Sequence, residues 1–455
     1  MGTGMNLRQL TDFEAAKAAV DQEAPVRKRL SQLFDDGKFT EIGGIGEKGT
    51  AKGVVAAYGM VEGAPVYAFS QDITQSGGAV GRLQAAKICK LYELAGKTGA
   101  PIVGIYDSNG AKADEGTDVL AAYGNIMSCV SNISGVVPQV SVIAGVCAGS
   151  MAMIAAGADI VVMSEKGSLF MTPPYTAGEA DAGSAKAAME SGAVHILAED
   201  DMEAVAKARE ILSVLPANNL SGLPAFEFAV NEQIDTGSAY GAASTTVDAD
   251  SMIELQADFG APARCGFATV NGTPVGFAAI DGELTADSCA KLTRHINLCD
   301  CFTIPVVTFI NTVGFASSVN GNIREGAKLA YAYAAASAVK IAVVTGDAYG
   351  AAYTVLAGAG ADMVYAWPNA SIGALVPATA VELMYSDKIT ENYTRSDAEC
   401  DYAEKDAGAL AAAANGIVDS VILPEETRTA VFEALELLEG KRTVNLPKKH
   451  GNFPM

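Results

Sequence analysis

Two short glycine-centred turns carry the residues of this sequence that are best suited to chemistry. The first reads Ala148-Gly149-Ser150-Met151 and the second reads Tyr349-Gly350-Ala351-Ala352. Each follows an apolar, β-branched run and opens a run of small residues, which is the pattern of a buried strand, a tight turn and a helix. Backbone N–H groups at a helix start can form an oxyanion hole. Small residues also let a helix pack closely on a sheet, so one such turn alone is ambiguous.

Ser150 adds a second interpretation, because a serine at such a turn is also a candidate nucleophile. A serine hydrolase needs a histidine or lysine base within hydrogen-bond reach of the serine hydroxyl. The chain has only three histidines, His195, His295 and His450, and His195 is the plausible partner. We interpret His195 as structural and keep a serine peptidase that uses Ser150 as an alternative.

The elements that must position Ser150 come from the run between Val140 and Met163, which carries one charge, Asp159. A membrane span needs roughly 20 residues of sustained hydrophobicity. Three glycines interrupt this run, and its β-branched residues lie at the two ends. The pattern therefore predicts a strand, a helix and a second strand, and the chain is not expected to span a membrane.

A second copy of this pattern lies between Val339 and Trp367, about 200 residues further on. The repeat extends upstream, where Lys87 pairs with Lys291 and Pro101 with Pro305. The sequence thus predicts two related domains, 1–222 and 223–455, with a boundary in the Pro/Asn/Gly-rich stretch 215–224. Alternation of strands with helices predicts an α/β fold, in which ligands bind at the carboxyl ends of the strands.

Composition excludes several classes of partner. The formal net charge is −22, so the chain is expected to bind neither nucleic acid nor an anionic membrane surface. Eight scattered cysteines without a CxxC pair argue against a metal site. The first ten residues lack the pattern of a secretory signal, so we expect a cytoplasmic protein.

Several motifs together make the chain resemble the carboxyltransferase subunits of biotin-dependent enzymes, namely the propionyl-CoA carboxylase β chains and the corresponding subunits of methylmalonyl-CoA and glutaconyl-CoA decarboxylases. The motifs, in chain order, are "YAFSQDITQSGGAVGRLQAAKICKLYELAGKTGAPIVGIYDSNGAKADEG", "SGVVPQVSVIAGVCAGS", "SGAVHILAEDD", "LSVLPANNL", "IREGAKLAYAYA" and "AYGAAYTVLAGAGADMVYAWP". The resemblance implies two tandem crotonase-like (ClpP/crotonase) domains related by the internal repeat.

The resemblance implies an enzyme that moves a carboxyl group between carboxybiotin on a carrier protein and a short acyl-CoA, through two backbone oxyanion holes. It places the acyl-CoA on the first domain and biotin on the second. The family's site lies between unlike domains of neighbouring subunits, so a homo-oligomer is expected, a dimer or a trimer of dimers. No protein base is required, which fits the scarcity of histidine.

The resemblance also assigns roles to individual residues. The implied catalytic donors are Gly149, Ser150, Ala351 and Ala352. The implied residues of the acyl-CoA site are Gly77, Gly78, Gly110, Ala111, Lys112, Ala148 and Thr354. The implied biotin-binding residues are Gly314, Phe315 and Gly350.

Two departures from the family pattern raise questions about these roles. "DSGGAR" reads "DSNGAK", so Lys112 replaces an arginine and loses its bidentate fork. "DVPGF" reads "NTVGF" at 311–315, near where the family binds biotin. Lys112, Arg82, Lys87 and Lys90 are the local cations that could meet CoA phosphates, although a solvated helix face is the plainer interpretation of each.

The sequence contains no Ala/Val-Met-Lys-Met biotin-attachment site. A separate biotin carboxyl carrier protein is therefore expected, together with either a biotin carboxylase or a membrane decarboxylase subunit. Besides the peptidase, two alternatives stay open: a crotonase-like CoA hydratase or isomerase, and a non-catalytic assembly homologue, the latter motivated by the altered 311–315 loop.

Overall fold

Each half of the chain is built around one eight-stranded sheet. The computed structural model describes residues 23–44, 53–178, 181–317, 321–358, 360–443 and 446–454. Its contacts divide the chain into two compact units, Met1–Ser221 and Gly222–Met455.

The strands of the first unit are β1 Phe39–Glu41, β2 Val54–Val61, β3 Ala64–Gln71, β4 Ile102–Ser108, β5 Gln139–Ala148, β6 Ile160–Ser164, β7 Ser168–Phe170 and β8 Ile196–Ala198. Its helices are α1 Pro25–Leu33, α2 Arg82–Thr98, α3 Asp118–Asn132, α4 Ser150–Ala156, α5 Pro174–Ala177, α6 Ala185–Glu190 and α7 Asp201–Val214. The sheet order is β1-β2-β3-β4-β5-β6-β8, and β7 pairs with the end of β5. Strands β3 to β6 and β8 are parallel, whereas β1 and β2 are antiparallel additions.

The strands of the second unit are β9 Ile253–Leu255, β10 Ala263–Val270, β11 Thr273–Asp281, β12 Val306–Thr312, β13 Lys340–Tyr349, β14 Met363–Ala366, β15 Ser371–Gly373 and β16 Ser420–Val421. Its helices are α8 Ala239–Thr246, α9 Ala286–Cys301, α10 Asn322–Ala335, α11 Gly350–Tyr353, α12 Pro377–Met384, α13 Arg395–Lys405, α14 Ala409–Ala414 and α15 Thr427–Leu438. The sheet order is β9-β10-β11-β12-β13-β14-β16, with β15 on the end of β13. The two units thus share one strand topology, as the internal repeat predicts.

Matching register irregularities confirm how the repeat aligns. In the first unit the pairing of β4 with β5 shifts between Tyr106 and Ser108, so that Ser108 lies opposite Cys147. In the second unit the pairing of β12 with β13 shifts between Ile310 and Thr312, and Thr312 lies opposite Ala348. Both shifts occur just before the glycine turns, and they place Gly149 and Gly350 at equivalent positions.

The predicted strand, helix and strand between Val140 and Met163 are β5, α4 and β6. The second copy differs in its helix, because α11 has four residues and continues as a π-helical turn, Thr354–Gly358. The pattern of small residues predicts a helix in both copies. It does not predict the change from α-helical to π-helical hydrogen bonding in the second copy. Single π turns are frequent at functional sites.

Lys87 and Lys291, which occupy equivalent positions in the two repeats, have similar surroundings in the structure. Lys291 is buried, and its ammonium donates to the carbonyls of Gln256 and Phe259 at 2.8 and 3.0 Å. Lys87 donates to the carbonyl of Val54 at 2.8 Å, and its side chain is 11% exposed. Desolvation lowers the pKa of both lysines. A solvated helix face is therefore the wrong interpretation of Lys87, and its ammonium is already used inside the fold.

Candidate active site

The first glycine turn lies between the end of β5 and the start of α4. Gly149 has φ +66°, which glycine adopts without the steric cost that other residues meet. Its N–H donates to the carbonyl of Phe170 at 2.8 Å, so this group is not a free donor. Ser150 is the first residue of α4, and a helix provides no acceptor for its first N–H groups. The donor that the turn exposes is therefore the N–H of Ser150.

A second loop faces this turn. Gly110 has φ +109°, and a Cβ on it would lie 3.7 Å from the carbonyl oxygen of Ala148. Its own N–H donates to Ser108 Oγ at 3.1 Å. The neighbouring Ala111 forms a parallel bridge with Val80, in which the N–H of Val80 and of Lys112 take part. The N–H of Ala111 has no hydrogen-bond acceptor within the described ranges, which makes it a second free donor.

Gly77 and Gly78 pack against the loop that contains Asn109 and Gly110. Both have φ +66°, and the carbonyl of Gly77 accepts the N–H of Asn109 at 2.9 Å. A Cβ on Gly78 would lie only 2.4 Å from the carbonyl oxygen of Asp107, so the position requires glycine. These two glycines shape the loop and do not line the cavity below.

The two loops border a cavity of about 440 Å³. It brings together five of the predicted residues, Gly110, Ala111, Ala148, Gly149 and Ser150. Sequence reasoning missed its remaining lining residues, which are Asn109, Val119, Leu120, Tyr123, Gly124, Met127, Phe170, Met171 and Pro173. The spacing 120, 123, 124 and 127 marks one face of α3 and could have indicated a helix wall.

The second glycine turn repeats this arrangement. Gly350 has φ +51° and lies at the junction of β13 and α11, and Ala351 follows it. The N–H of Gly314 donates to Thr312 Oγ1 at 3.1 Å, as Gly110 does to Ser108. Phe315 bridges Leu284 through the N–H of Leu284 and of Ala316, at 2.9 Å each. The N–H of Phe315 has no acceptor among the residues that the structure describes, so it matches Ala111.

A cavity of about 480 Å³ adjoins the second turn. It is lined mainly by apolar groups: Phe315, Ala316, Ser317, Asn322, Ile323, Gly326, Ala351 and Val355. Of the predicted residues it includes Phe315 and Ala351, whereas Gly314, Gly350, Ala352 and Thr354 lie outside its lining. Ala352 is fully buried, and Thr354 is exposed with its hydroxyl donating to the carbonyl of Gly350 at 3.0 Å.

Behind each turn, one polar side chain ties the two central strands together. Asp107 Oδ1 accepts the N–H of Val146 at 3.3 Å, and its Oδ2 accepts from buried Arg29 at 2.9 Å. Asn311 Oδ1 accepts the N–H of Asp347 at 3.1 Å in the second unit. The departure from aspartate to asparagine at 311 therefore keeps the acceptor that supports the turn. The amide of Asn311 also donates through Nδ2 to Asp281 Oδ1 at 3.3 Å, whereas the carboxylate of Asp107 accepts from Arg29.

The predicted phosphate-binding cations are largely occupied. Lys112 pairs with Glu115 at 3.3 Å and with Asp114 at 3.9 Å. Arg82 pairs with Asp118 at 3.1 Å, but its side chain is well exposed. Among the hydrogen bonds of Glu115 is one from the backbone N–H of Arg82, and together these contacts lower its pKa. These pairs are partly solvated, so a ligand phosphate competes with them at low cost.

The groups near Ser150 do not form a nucleophile–base pair. His195 Nδ1 accepts the N–H of Val161 at 3.0 Å, which supports its structural interpretation. Burial raises the pKa of the Cys147 thiol, so it is not a thiolate nucleophile. No histidine or lysine is hydrogen-bonded to the Ser150 hydroxyl in the described residues. The same part of the chain has no cluster of three or more His, Cys, Asp or Glu side chains arranged for a metal ion.

Fold and turns together define a protein of two α/β units, each with a glycine turn and a cavity at the carboxyl end of its central strand. The model of the carboxyl transferase domain family matches residues 23–453. The methylmalonyl-CoA decarboxylase subunit alpha of Veillonella parvula is 38% identical over 475 residues, covering 94% of this chain and 92% of that protein. The propionyl-CoA carboxylase beta chain of Saccharopolyspora erythraea is 36% identical over 502 residues, covering 97% and 92%.

The solved structures agree with the sequence comparisons. This chain superposes on one chain of the transcarboxylase 12S structure, a hexamer crystallised with hydrolysed methylmalonyl-CoA bound, with a TM-score of 0.91 at 31% identity over 100% of both chains. The chain therefore belongs to the carboxyl transferase domain family and is a biotin-dependent acyl-CoA carboxyltransferase. This confirms the predicted family, enzyme class and pair of crotonase-like domains. None of the helices in the described ranges is both long and apolar enough to cross a membrane.

Proposed function

We propose that this chain transfers a carboxyl group between biotin on a separate carrier protein and a short acyl-CoA, with one backbone donor pair for each partner. The observation that carries the proposal is the equivalence of the two glycine turns, each beside a cavity. Acyl-CoA is assigned to the first unit, 1–222, and biotin to the second, 223–455.

In the first unit, the N–H groups of Ala111 and Ser150 are proposed to hold the thioester oxygen. Negative charge develops on this oxygen when the α-carbon loses its proton or its carboxyl group, and preoriented donors stabilise it. Leu120, Met127 and Phe170 are apolar residues of the cavity wall, and an acyl group bound against them displaces water, which strengthens these hydrogen bonds. Gly110 and Gly149 contribute through their backbone conformation, which directs the neighbouring N–H groups into the cavity.

The second cavity fits the biotin ring, since Phe315, Val355 and Ile323 provide apolar walls for a bicyclic ligand whose polar edge is a urea. When bound, biotin supplies the group that carries the carboxyl and the nitrogen that accepts a proton. The N–H groups of Phe315 and Ala351 are proposed to bind the urea oxygen, with Gly314 and Gly350 shaping the loops. The family resemblance predicts that Ala352 is a catalytic donor. Because Ala352 is buried, we assign it only a packing role behind Ala351.

The proposed partners follow from this division of labour. They are a biotin carboxyl carrier protein, and either a biotin carboxylase or a membrane decarboxylase subunit, in the cytoplasm. Lys112 and Arg82 are proposed to bind CoA phosphates, which would replace the carboxylates that now pair with these two side chains. Thr354 is retained as a residue that faces the acyl group in the assembled enzyme.

The test is a carboxyl-exchange assay with the purified chain, free biotin and a panel of acyl-CoAs. We expect label to pass from malonyl-CoA or methylmalonyl-CoA to biotin, and little transfer from long-chain analogues. Crotonyl-CoA is included to detect hydration. Hydration of crotonyl-CoA without any carboxyl exchange would replace the proposal with a hydratase, and inertness towards the whole panel would support an assembly role.

A further inference from the structure

Asn109 is a polar side chain of the first cavity that has no role in the donor pair. Three lining residues carry polar side-chain atoms, Asn109, Tyr123 and Ser150. The Tyr123 hydroxyl is buried in the wall of the cavity and has no hydrogen-bond partner among the described residues. The Asn109 carboxamide is exposed, and no hydrogen bond of this side chain occurs in the ranges that the structure describes. It is therefore free to bind a ligand.

The carboxamide of Asn109 lies next to Gly77. The backbone N–H of Asn109 donates to Gly77, and its Nδ2 lies 2.9 Å from the place that a Cβ on Gly77 would take. The side chain thus lies against the Gly77 backbone at the rim of the cavity. Any larger residue at 77 would displace it.

The second unit shows that the loop itself does not require asparagine. The equivalent residue is Val313, which follows Thr312 as Asn109 follows Ser108, and its side chain is 44% exposed. The hydroxyl-to-glycine hydrogen bonds on either side are the same in both units. Because the same backbone hydrogen bonds form with valine, the loop conformation does not depend on the carboxamide of Asn109.

We infer that Asn109 is a substrate-binding residue whose side chain binds an amide of the pantetheine arm of the acyl-CoA. The inference rests on the proposed function, which places the thioester oxygen on the N–H groups of Ala111 and Ser150. With the thioester held there, the arm leaves the cavity across its rim, where Asn109 lies. A carboxamide offers one acceptor and two donor hydrogens, which complements a secondary amide.

The test compares wild type with Asn109→Val, the residue found at the equivalent position of the second unit. Calorimetric titration with propionyl-CoA should give a Kd about three- to tenfold higher for the variant, the loss typical of a neutral hydrogen bond. Propionyl-pantetheine, which has the arm without the nucleotide, should show the same fold-change. KM should rise in parallel while kcat stays constant, because the contact is equal in ground and transition states.

The matched control is Asn125→Val, the same change at an exposed position of α3 that does not line the cavity. It should leave Kd unchanged. Unchanged affinity in Asn109→Val overturns the inference. A fall in kcat also overturns it, because it would place the contact at the thioester. An effect confined to propionyl-CoA would place the contact at the nucleotide and overturns it too. Binding is measured without turnover, so a wild type that binds acyl-CoA but exchanges no carboxyl group refutes the proposed function and not this contact.

Discussion

At the scale of single residues, Ser150 is proposed to contribute to catalysis through its backbone N–H and not through its hydroxyl. Ser150→Ala should keep most activity, since the N–H remains. Ser150→Pro removes the N–H at the first position of α4, where proline is well tolerated in helices, so the fold should survive. Loss of one oxyanion donor typically lowers kcat by about 10²–10³. Both variants are compared with wild type in the carboxyl-exchange assay, with circular dichroism as the control for folding.

The opposite pattern would change the chemistry assigned to this residue. If Ser150→Ala alone abolished turnover in a folded protein, the hydroxyl would act directly and the peptidase-like interpretation would return. Covalent labelling of wild type by a fluorophosphonate probe would support the same conclusion.

Residue identities that depend on local pattern could be predicted, and those that depend on distant contacts could not. The two turns follow from small residues after apolar runs. Which N–H groups stay free does not, because it depends on the bridges of Ala111 with Val80 and of Phe315 with Leu284. The pairing of Lys112 with Glu115, three residues on, was accessible from spacing, whereas that of Arg29 with Asp107 joins segments far apart in the chain.

At the scale of elements, helix α9 carries a buried titratable group that its counterpart α2 lacks. His295 lies four residues after Lys291, and Leu91 lies four residues after Lys87. Burial, with help from the charge of Lys291, lowers the pKa of His295 to about 4. The unfolded chain therefore binds this proton more readily. The stabilising contribution is fully present above the ordinary histidine pKa of about 6.5 and is lost as pH falls towards 4.

Between pH 7 and pH 5 this difference should lower the free energy of unfolding by about 2 kcal/mol. His295→Leu copies the residue of the first unit and should remove that part of the pH dependence. Chemical denaturation of wild type and variant at the two pH values measures it. An unchanged pH dependence in the variant would show that other groups control acid sensitivity.

The order of strands and helices could be predicted from alternation, but the buried polar residues of α9 could not, because an isolated histidine carries no periodic signal.

At the scale of the whole molecule, the donor pairs lie in separate units, and the proposed reaction needs both. The family resemblance places the working site between the first unit of one subunit and the second unit of a neighbour. The small-residue stretch from Leu329 to Ala338 is a candidate for packing across subunits, but its own unit already buries Leu329, Ala332, Tyr333, Ala336 and Ala338. It therefore offers only part of its surface to a partner, and its role in assembly stays a prediction.

The net charge of −22 sets the conditions under which copies of the chain can associate. Like-charged subunits repel each other, and at 0.15 M ionic strength this repulsion is screened beyond about 8 Å. We therefore expect dimers or a trimer of dimers at moderate salt, and a shift towards the 46.6 kDa monomer at very low salt. Carboxyl-exchange activity should fall together with the assembled fraction if, as the family resemblance implies, the complete site needs a neighbouring subunit. Light scattering and activity are measured on the same samples across a salt series, with sucrose replacing salt as the control for general solvent effects. A monomer that retains full activity would place the complete site within one chain.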